Sequence, residues 1–133
     1  MVEASFWHLL AAGAATLAIG FVWYHPGVFG GAWARLANVQ PETERATGPL
    51  TRSATIALLA GMLVAFVMNY FGMAWGVFDW LGGLELAFWC WIGFVVPTSL
   101  NTVLWEQRPF KLYLINSAYW LVSFIAIALI LLF

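Results

Sequence analysis

The sequence predicts an all-α polytopic membrane protein whose four transmembrane helices form a bundle, and three observations carry that reading. Of its 133 residues 64% are hydrophobic and 8% charged, with a mean hydropathy of +0.90. A water-soluble domain carries about 25% charged residues, so this chain has too few to cover a water-facing surface. Its apolar residues gather into four stretches, each close to the roughly 20 residues that a helix needs to cross the hydrocarbon layer. All five basic residues fall in two of the loops. Arg35, Arg45 and Arg52 lie between the first and second stretch, and Arg108 and Lys111 between the third and fourth.

Taken in order, the first span runs over 5–24 and ends at His25-Pro26-Gly27, because proline disfavours helix in the residue before it and donates no backbone hydrogen bond. No basic segment precedes this span, so it reads as uncleaved rather than as a secretory signal. A loop over 25–50 follows. Its first part mixes Phe29, Trp33 and Leu36 with Arg35 and glycines, which predicts a short stretch lying in the membrane interface. Its second part, Gln40 to Pro49, reads as a solvated connector. The second span covers 51–71, the third 81–105 and the fourth 110–132, with Pro109 at a helix start where a missing N–H costs nothing. Residues 1–133 thus form a single transmembrane domain with no soluble module.

Four spans put both termini on one side. Basic loops are retained in the cytoplasm, so both termini are expected outside it, together with the loop that carries Asp79 and Glu85. Trp7, Trp75 and Trp80 then fall near the outer interface and Trp23, Trp33 and Trp105 near the inner one. That is an aromatic belt, not a ligand cage.

Polar residues inside a span turn away from lipid, toward other helices or a wet cavity. Depth groups several of them. Thr98, Ser99 and Asn101 lie in the inner half of span three, Asn116, Ser117 and Tyr119 in the inner half of span four, and Trp23, Tyr24 and His25 end span one at the same level. Spans three and four are tightly joined and should pair as a hairpin. Thr98 and Asn101 are three apart and share a face, as are Asn116 and Tyr119, so the two pairs are expected to face one another. Pro97 frees the carbonyl of residue 93 nearby, and Glu106, Arg108 and Lys111 lie below, with Arg35 within reach from the other basic loop. The patch reads either as hydrogen-bonded glue between helices, at about 0.6 kcal/mol per bond, or as the lining of a solute path.

Other chemistries find little support. Cys90 is the sole cysteine and sits in an apolar run, so no internal disulfide and no Cys/His metal cluster are expected. His8 and His25 lie at opposite depths and cannot share a haem. There is no carboxylate pair within a span, no nucleophile triad and no phosphate-cradling glycine motif, so an enzyme is not expected, nor a cofactor. The net charge of −1 offers no field that would recruit nucleic acid; the bilayer is the expected partner.

Three segments carry a resemblance: Trp23-Tyr24-His25-Pro26-Gly27-Val28-Phe29-Gly30-Gly31-Ala32-Trp33, then Gly93 to Asn101 with Pro97-Thr98, then Trp105-Glu106-Gln107-Arg108-Pro109-Phe110-Lys111 through Asn116 and Tyr119. Together they resemble a widespread family of small bacterial integral membrane proteins, domain of unknown function 1761, over nearly the whole chain. The family usually has Ser at the position of His25 and Phe at that of Trp105. The resemblance implies a four-span protein of the bacterial inner membrane and no established activity. Its recurrent polar positions correspond to Thr98, Asn101, Glu106, Arg108, Lys111, Asn116 and Tyr119, and its interfacial motif to Trp23, Tyr24, His25, Pro26, Phe29, Trp33 and Arg35.

Two functions remain open. One is small-solute or ion permeation by a homo-oligomer, since four helices enclose little room for an aqueous route. The other is a non-catalytic accessory subunit packed into a larger membrane complex, the polar patch then only fixing the hairpin. A membrane enzyme acting on lipid is a distant third.

Overall fold

Hydropathy alone sets the frame, and the computed structural model describes it for residues 1–37 and 47–133, the side chains of 47–50 aside. Arg45 and the 40–46 part of the connector lie outside the described residues. Five helices follow one another: α1 Phe6–Trp23, α2 Gly31–Ala37, α3 Thr47–Ala74, α4 Trp80–Leu104 and α5 Phe110–Leu132. All but α2 are long and apolar enough to cross a membrane. No strand occurs among the described residues. Each predicted span thus finds its helix, and the second begins earlier than expected, at Thr47, with Pro49 inside its first turn where its missing N–H has no intrahelical partner to lose.

Local chemistry fixes the ends. Ser5 caps α1: the His8 N–H donates to Ser5 Oγ at 3.4 Å, and the Ser5 N–H donates back to His8 Nδ1 at 3.3 Å. His8 is therefore a capping residue. Asp79 caps α4 by accepting from the Gly82 N–H at 2.8 Å. Between α3 and α4 the chain turns through Gly76 at φ +69°, a left-handed conformation that glycine adopts without steric cost.

The helices pack as an antiparallel bundle in which α5 touches all the others. Helices α1 and α3 approach most closely at Gly13 and Gly61: a Cβ built on Gly13 would stand 2.7 Å from the Leu58 carbonyl oxygen, and one on Gly61 3.1 Å from Gly13 Cα. The core, including Ala12, Ala65, Met68, Leu86, Ala87, Ile127 and Ala128, runs through the middle of the bundle. Its outer faces are as apolar as its centre, with Ile56, Leu59, Leu63 and Phe66 all exposed on α3. Such an exterior suits hydrocarbon and would be costly in water.

The two ends of the bundle differ. At the terminal end, Asn69 on α3 holds the start of the chain, its Oδ1 accepting from the Ala4 N–H at 3.0 Å and its Nδ2 donating to the Val2 carbonyl at 2.9 Å. Met1 N donates to the Val77 carbonyl beside it. At the other, basic end, Arg108 Nη1 donates to the Ala37 carbonyl at 3.5 Å and so ties the α4–α5 loop to the carboxyl end of α2, where a cation is favoured.

Helix α4 is not regular. Residues Trp91–Val95 form a π turn, in which the Val96 N–H reaches the Trp91 carbonyl five residues back. One residue is thereby inserted, and everything downstream is rotated by about 100° relative to an unbroken α-helix. The buried positions record the slip. Gly83, Leu86, Ala87 and Cys90 point inward; an unbroken helix would continue through Phe94, but Phe94 is exposed and Val95 is buried instead.

Candidate functional site

The same slip decides which polar residues of α4 meet α5. Thr98 and Asn101 are exposed and do not face Asn116 and Tyr119 as the sequence spacing predicts. Their neighbours one position on, Ser99 and Thr102, turn inward in their place and line a cleft with Tyr24, Trp33, Tyr113, Asn116, Tyr119 and Trp120. Thr98 Oγ1 donates instead to the carbonyls of its own helix, Phe94 and, at 3.3 Å, Val95. These acceptors lie one turn back in α4, the ordinary back-bond of a helical threonine that Thr16 and Thr55 also make. Asn101 makes no side-chain hydrogen bond among the described residues.

The cleft has a volume of about 430 Å³ and lies at the basic end, where α2, the end of α1 and the inward faces of α4 and α5 converge. Hydrogen bonds between helices hold its walls. Tyr24 Oη donates to Asn116 Oδ1 at 2.6 Å. Tyr119 Oη donates to the Thr16 carbonyl at 2.9 Å, joining α5 to α1. Tyr113 Oη donates to the Val96 carbonyl at 3.0 Å, and within α4 itself Thr102 Oγ1 donates to the Ser99 carbonyl at 2.8 Å. Just outside, Trp23 Nε1 donates to the Ile115 carbonyl at 3.0 Å and Trp91 Nε1 to the Ser117 carbonyl at 2.7 Å. Rings stack into the wall as well: the centroid of Tyr24 is 5.2 Å from Trp33 and 5.5 Å from Tyr119, and Tyr119 is 5.1 Å from Trp120.

The Trp23–Arg35 motif builds one side of this cleft. His25 starts the π turn Pro26–Gly30, its Nδ1 accepting from the Gly27 N–H at 3.0 Å, while the Gly30 N–H donates to the His25 carbonyl at 3.0 Å. Gly30 is required there, since a Cβ would collide with the Tyr24 carbonyl. Phe29 folds back onto Trp23 with centroids 4.7 Å apart. The turn thereby delivers α2 and its Trp33 over Tyr24. Arg35 is exposed and its Nε donates to the Gly31 carbonyl at 3.3 Å. Glu106 and Lys111 are exposed and do not line the cleft, and Arg108 is taken up by α2.

Among the described residues no charged side chain lines this cleft. Its polar capacity is neutral: the Asn116 amide N–H groups and the Ser99 hydroxyl as donors, and hydroxyl lone pairs as acceptors. Such a lining can hold a small uncharged solute by hydrogen bonds and ring contacts. It offers no group suited to general acid–base chemistry near neutral pH, and among the described residues no group of three or more His, Cys, Asp or Glu could hold a metal. Of the lining residues, Tyr24, Trp33, Ser99, Asn116 and Tyr119 are legible in the sequence as polar or aromatic groups of matching depth. Thr102, Tyr113 and Trp120 carry no such signal, because their placement depends on the π turn and on which backbone carbonyls stand opposite.

Among known proteins, a family model described as "Protein of unknown function (DUF1761)" matches residues 7–132. No curated protein and no solved structure matches the chain.

Proposed function

We propose, from the premise that the chain belongs to the DUF1761 family, that it lets a small uncharged solute pass through the membrane as a homo-oligomer. The cleft is the mouth of that path. The observation that carries this reading is its lining, aromatic, hydroxyl-bearing and free of charge, in a bundle whose interior is otherwise mostly apolar, with Thr16, Asn69, Ser117 and Ser123 as its buried polar side chains. A single copy closes above the cleft where Tyr119 bonds the Thr16 carbonyl, so the route is completed between copies. The protein is non-catalytic in this reading. With Arg35, Arg52, Arg108 and Lys111 all at one end of the bundle, that end faces the cytoplasm of a bacterium and both termini lie outside it.

Stopped-flow light scattering on reconstituted liposomes, with urea and glycerol as probes, tests the proposal. The wild-type protein should accelerate equilibration over empty liposomes, and Asn116→Leu should remove most of the gain while Asn101→Leu leaves it. Equal rates in wild-type, Asn116→Leu and empty vesicles would abolish the proposal.

A second reading, an accessory subunit of a larger membrane complex, draws support from Asn101. Its exposed amide lacks a partner among the described residues on a face that would otherwise meet lipid, and a helix from another protein could supply one. Purification in a gentle detergent separates the two: a stable hetero-complex favours this reading and a uniform homo-oligomer the first.

A further inference from the structure

Glu85 is the feature that the cleft does not absorb. It lies five residues into α4, about 7.5 Å along the helix from Trp80, between Leu84 and Leu86, and is exposed with no hydrogen-bond or ion-pair partner among the described residues. An ionisable side chain inside a membrane span is costly and normally meets a partner or a wet cavity. Glu85 meets the cavity. It lines a pocket of about 450 Å³ at the terminal end, with Trp75, Phe78, Asp79 and Trp89.

Three sources of negative potential converge on that pocket. Glu85 is one, and Asp79 is a second, though one of its oxygens already accepts from Gly82. The third is the carboxyl end of the 28-residue α3, which stops at Ala74 just before the pocket and carries the negative pole of its dipole. No Lys or Arg lies at this end of the chain to neutralise them; the Met1 ammonium, held on the carbonyl of Val77 in the pocket wall, offsets one of the two carboxylates and leaves the other. The indoles of Trp75 and Trp89, both exposed, make no side-chain hydrogen bond among the described residues; Trp75 stacks one face on Phe71 and leaves the other as an electron-rich surface, and Trp89 meets Phe88 edge to face.

We infer that this pocket binds an organic ammonium cation, with its alkyl groups against Trp75 and Trp89 and its charge beside Glu85. An inorganic cation would leave the ring faces unused and would find few oxygen ligands. A neutral amphiphile would leave the carboxylate uncompensated. The inference is independent of the solute path at the other end and survives its failure.

Calorimetric titration with choline tests it, using protein purified in a maltoside micelle, which has no ammonium group of its own. Choline should bind, while the neutral isostere 3,3-dimethylbutan-1-ol should bind about tenfold more weakly or not at all. Glu85→Gln should weaken choline about tenfold, Trp89→Leu should weaken it by about three- to tenfold, and Glu85→Asp should restore most of the loss. An unchanged thermal unfolding midpoint in Glu85→Gln keeps a folding defect from counting as support. No binding of choline to the wild type, equal binding of the isostere, or undiminished binding by Glu85→Gln would each overturn the inference.

Discussion

At the basic end, aromatic side chains are tied to the backbone and to one another: Trp23, Tyr113 and Tyr119 each donate to a carbonyl of another helix, and Tyr24 donates to Asn116. At the terminal end, Trp75, Phe78, Trp80 and Trp89 are all exposed, and none makes a side-chain hydrogen bond among the described residues. The same residue type thus plays two physical parts. Where phenols and indoles reach across helices they fix a cleft whose walls cannot easily change shape, and charge is kept out of it. Where they make only ring contacts, Trp75 with Phe71 and Trp89 with Phe88, beside Glu85 and Asp79, they remain available to the interface or to a cation. A rigid neutral cleft selects by shape and hydrogen bonding; a loose acidic pocket selects by charge.

The sharpest way to break this contrast is to shift the register of the basic end. Inserting one alanine after Gly93, beyond the one extra residue that the π turn already absorbs, should rotate the segment beyond it by about 100°. Deleting Gly93 should instead turn the π turn into ordinary helix and leave that segment facing as before. In a Cys90→Ala background, Ser99→Cys and Thr102→Cys, which line the cleft, should react with a water-soluble maleimide much faster than Thr98→Cys and Asn101→Cys, which face lipid. The insertion should reverse that order and the deletion should keep it; an order unchanged by the insertion, or reversed by the deletion, would show that the π turn does not control the face.

A smaller effect separates the two kinds of glycine. Gly13→Ala drives a methyl group against the Leu58 backbone oxygen and should cost about 1–3 kcal/mol, seen as a lower midpoint of thermal unfolding in detergent. A Cβ on Gly93 has nothing within 4 Å, so Gly93→Ala should leave the midpoint nearly unchanged. Comparable losses in both would mean that the α1–α3 crossing is not the tight contact.

Smallest is the value of single tethers. Tyr24→Phe removes the bond to Asn116 and should destabilise the bundle by about 0.6–1.7 kcal/mol, whereas Trp75→Phe, which breaks no hydrogen bond, should stay within about 0.5 kcal/mol. If Trp75→Phe costs as much as Tyr24→Phe, the terminal end is as fixed as the basic end and the contrast fails.

The sequence carried the four spans because length and hydropathy are summed over twenty residues, and no local irregularity disturbs the sum. Depth was legible for the same reason, and it placed Tyr24, Trp33, Asn116 and Tyr119 at the level of the cleft. Facing was not. The inserted residue in α4 has no compositional mark, since Trp91-Ile92-Gly93-Phe94-Val95 reads as ordinary apolar helix; Gly93 and Pro97 hint only that the segment is weak. Ordinary helical phase therefore selects Thr98 and Asn101, one position before the residues that turn inward. Backbone acceptors were equally hidden: nothing at Thr16, Ile115 or Val96 distinguishes the carbonyl that receives a distant phenol or indole.

The contacts of α5 have a consequence for biogenesis. This helix touches all the others and provides the carbonyls of Ile115 and Ser117 and the phenols of Tyr113 and Tyr119 that stitch them together, yet the ribosome makes it after them. Helices α1 and α3 can pack on each other as soon as both are made, but α4 meets its main neighbour only when α5 follows. During that interval a quality-control protease or an insertase would meet Thr16 and Trp91 still lacking their mates.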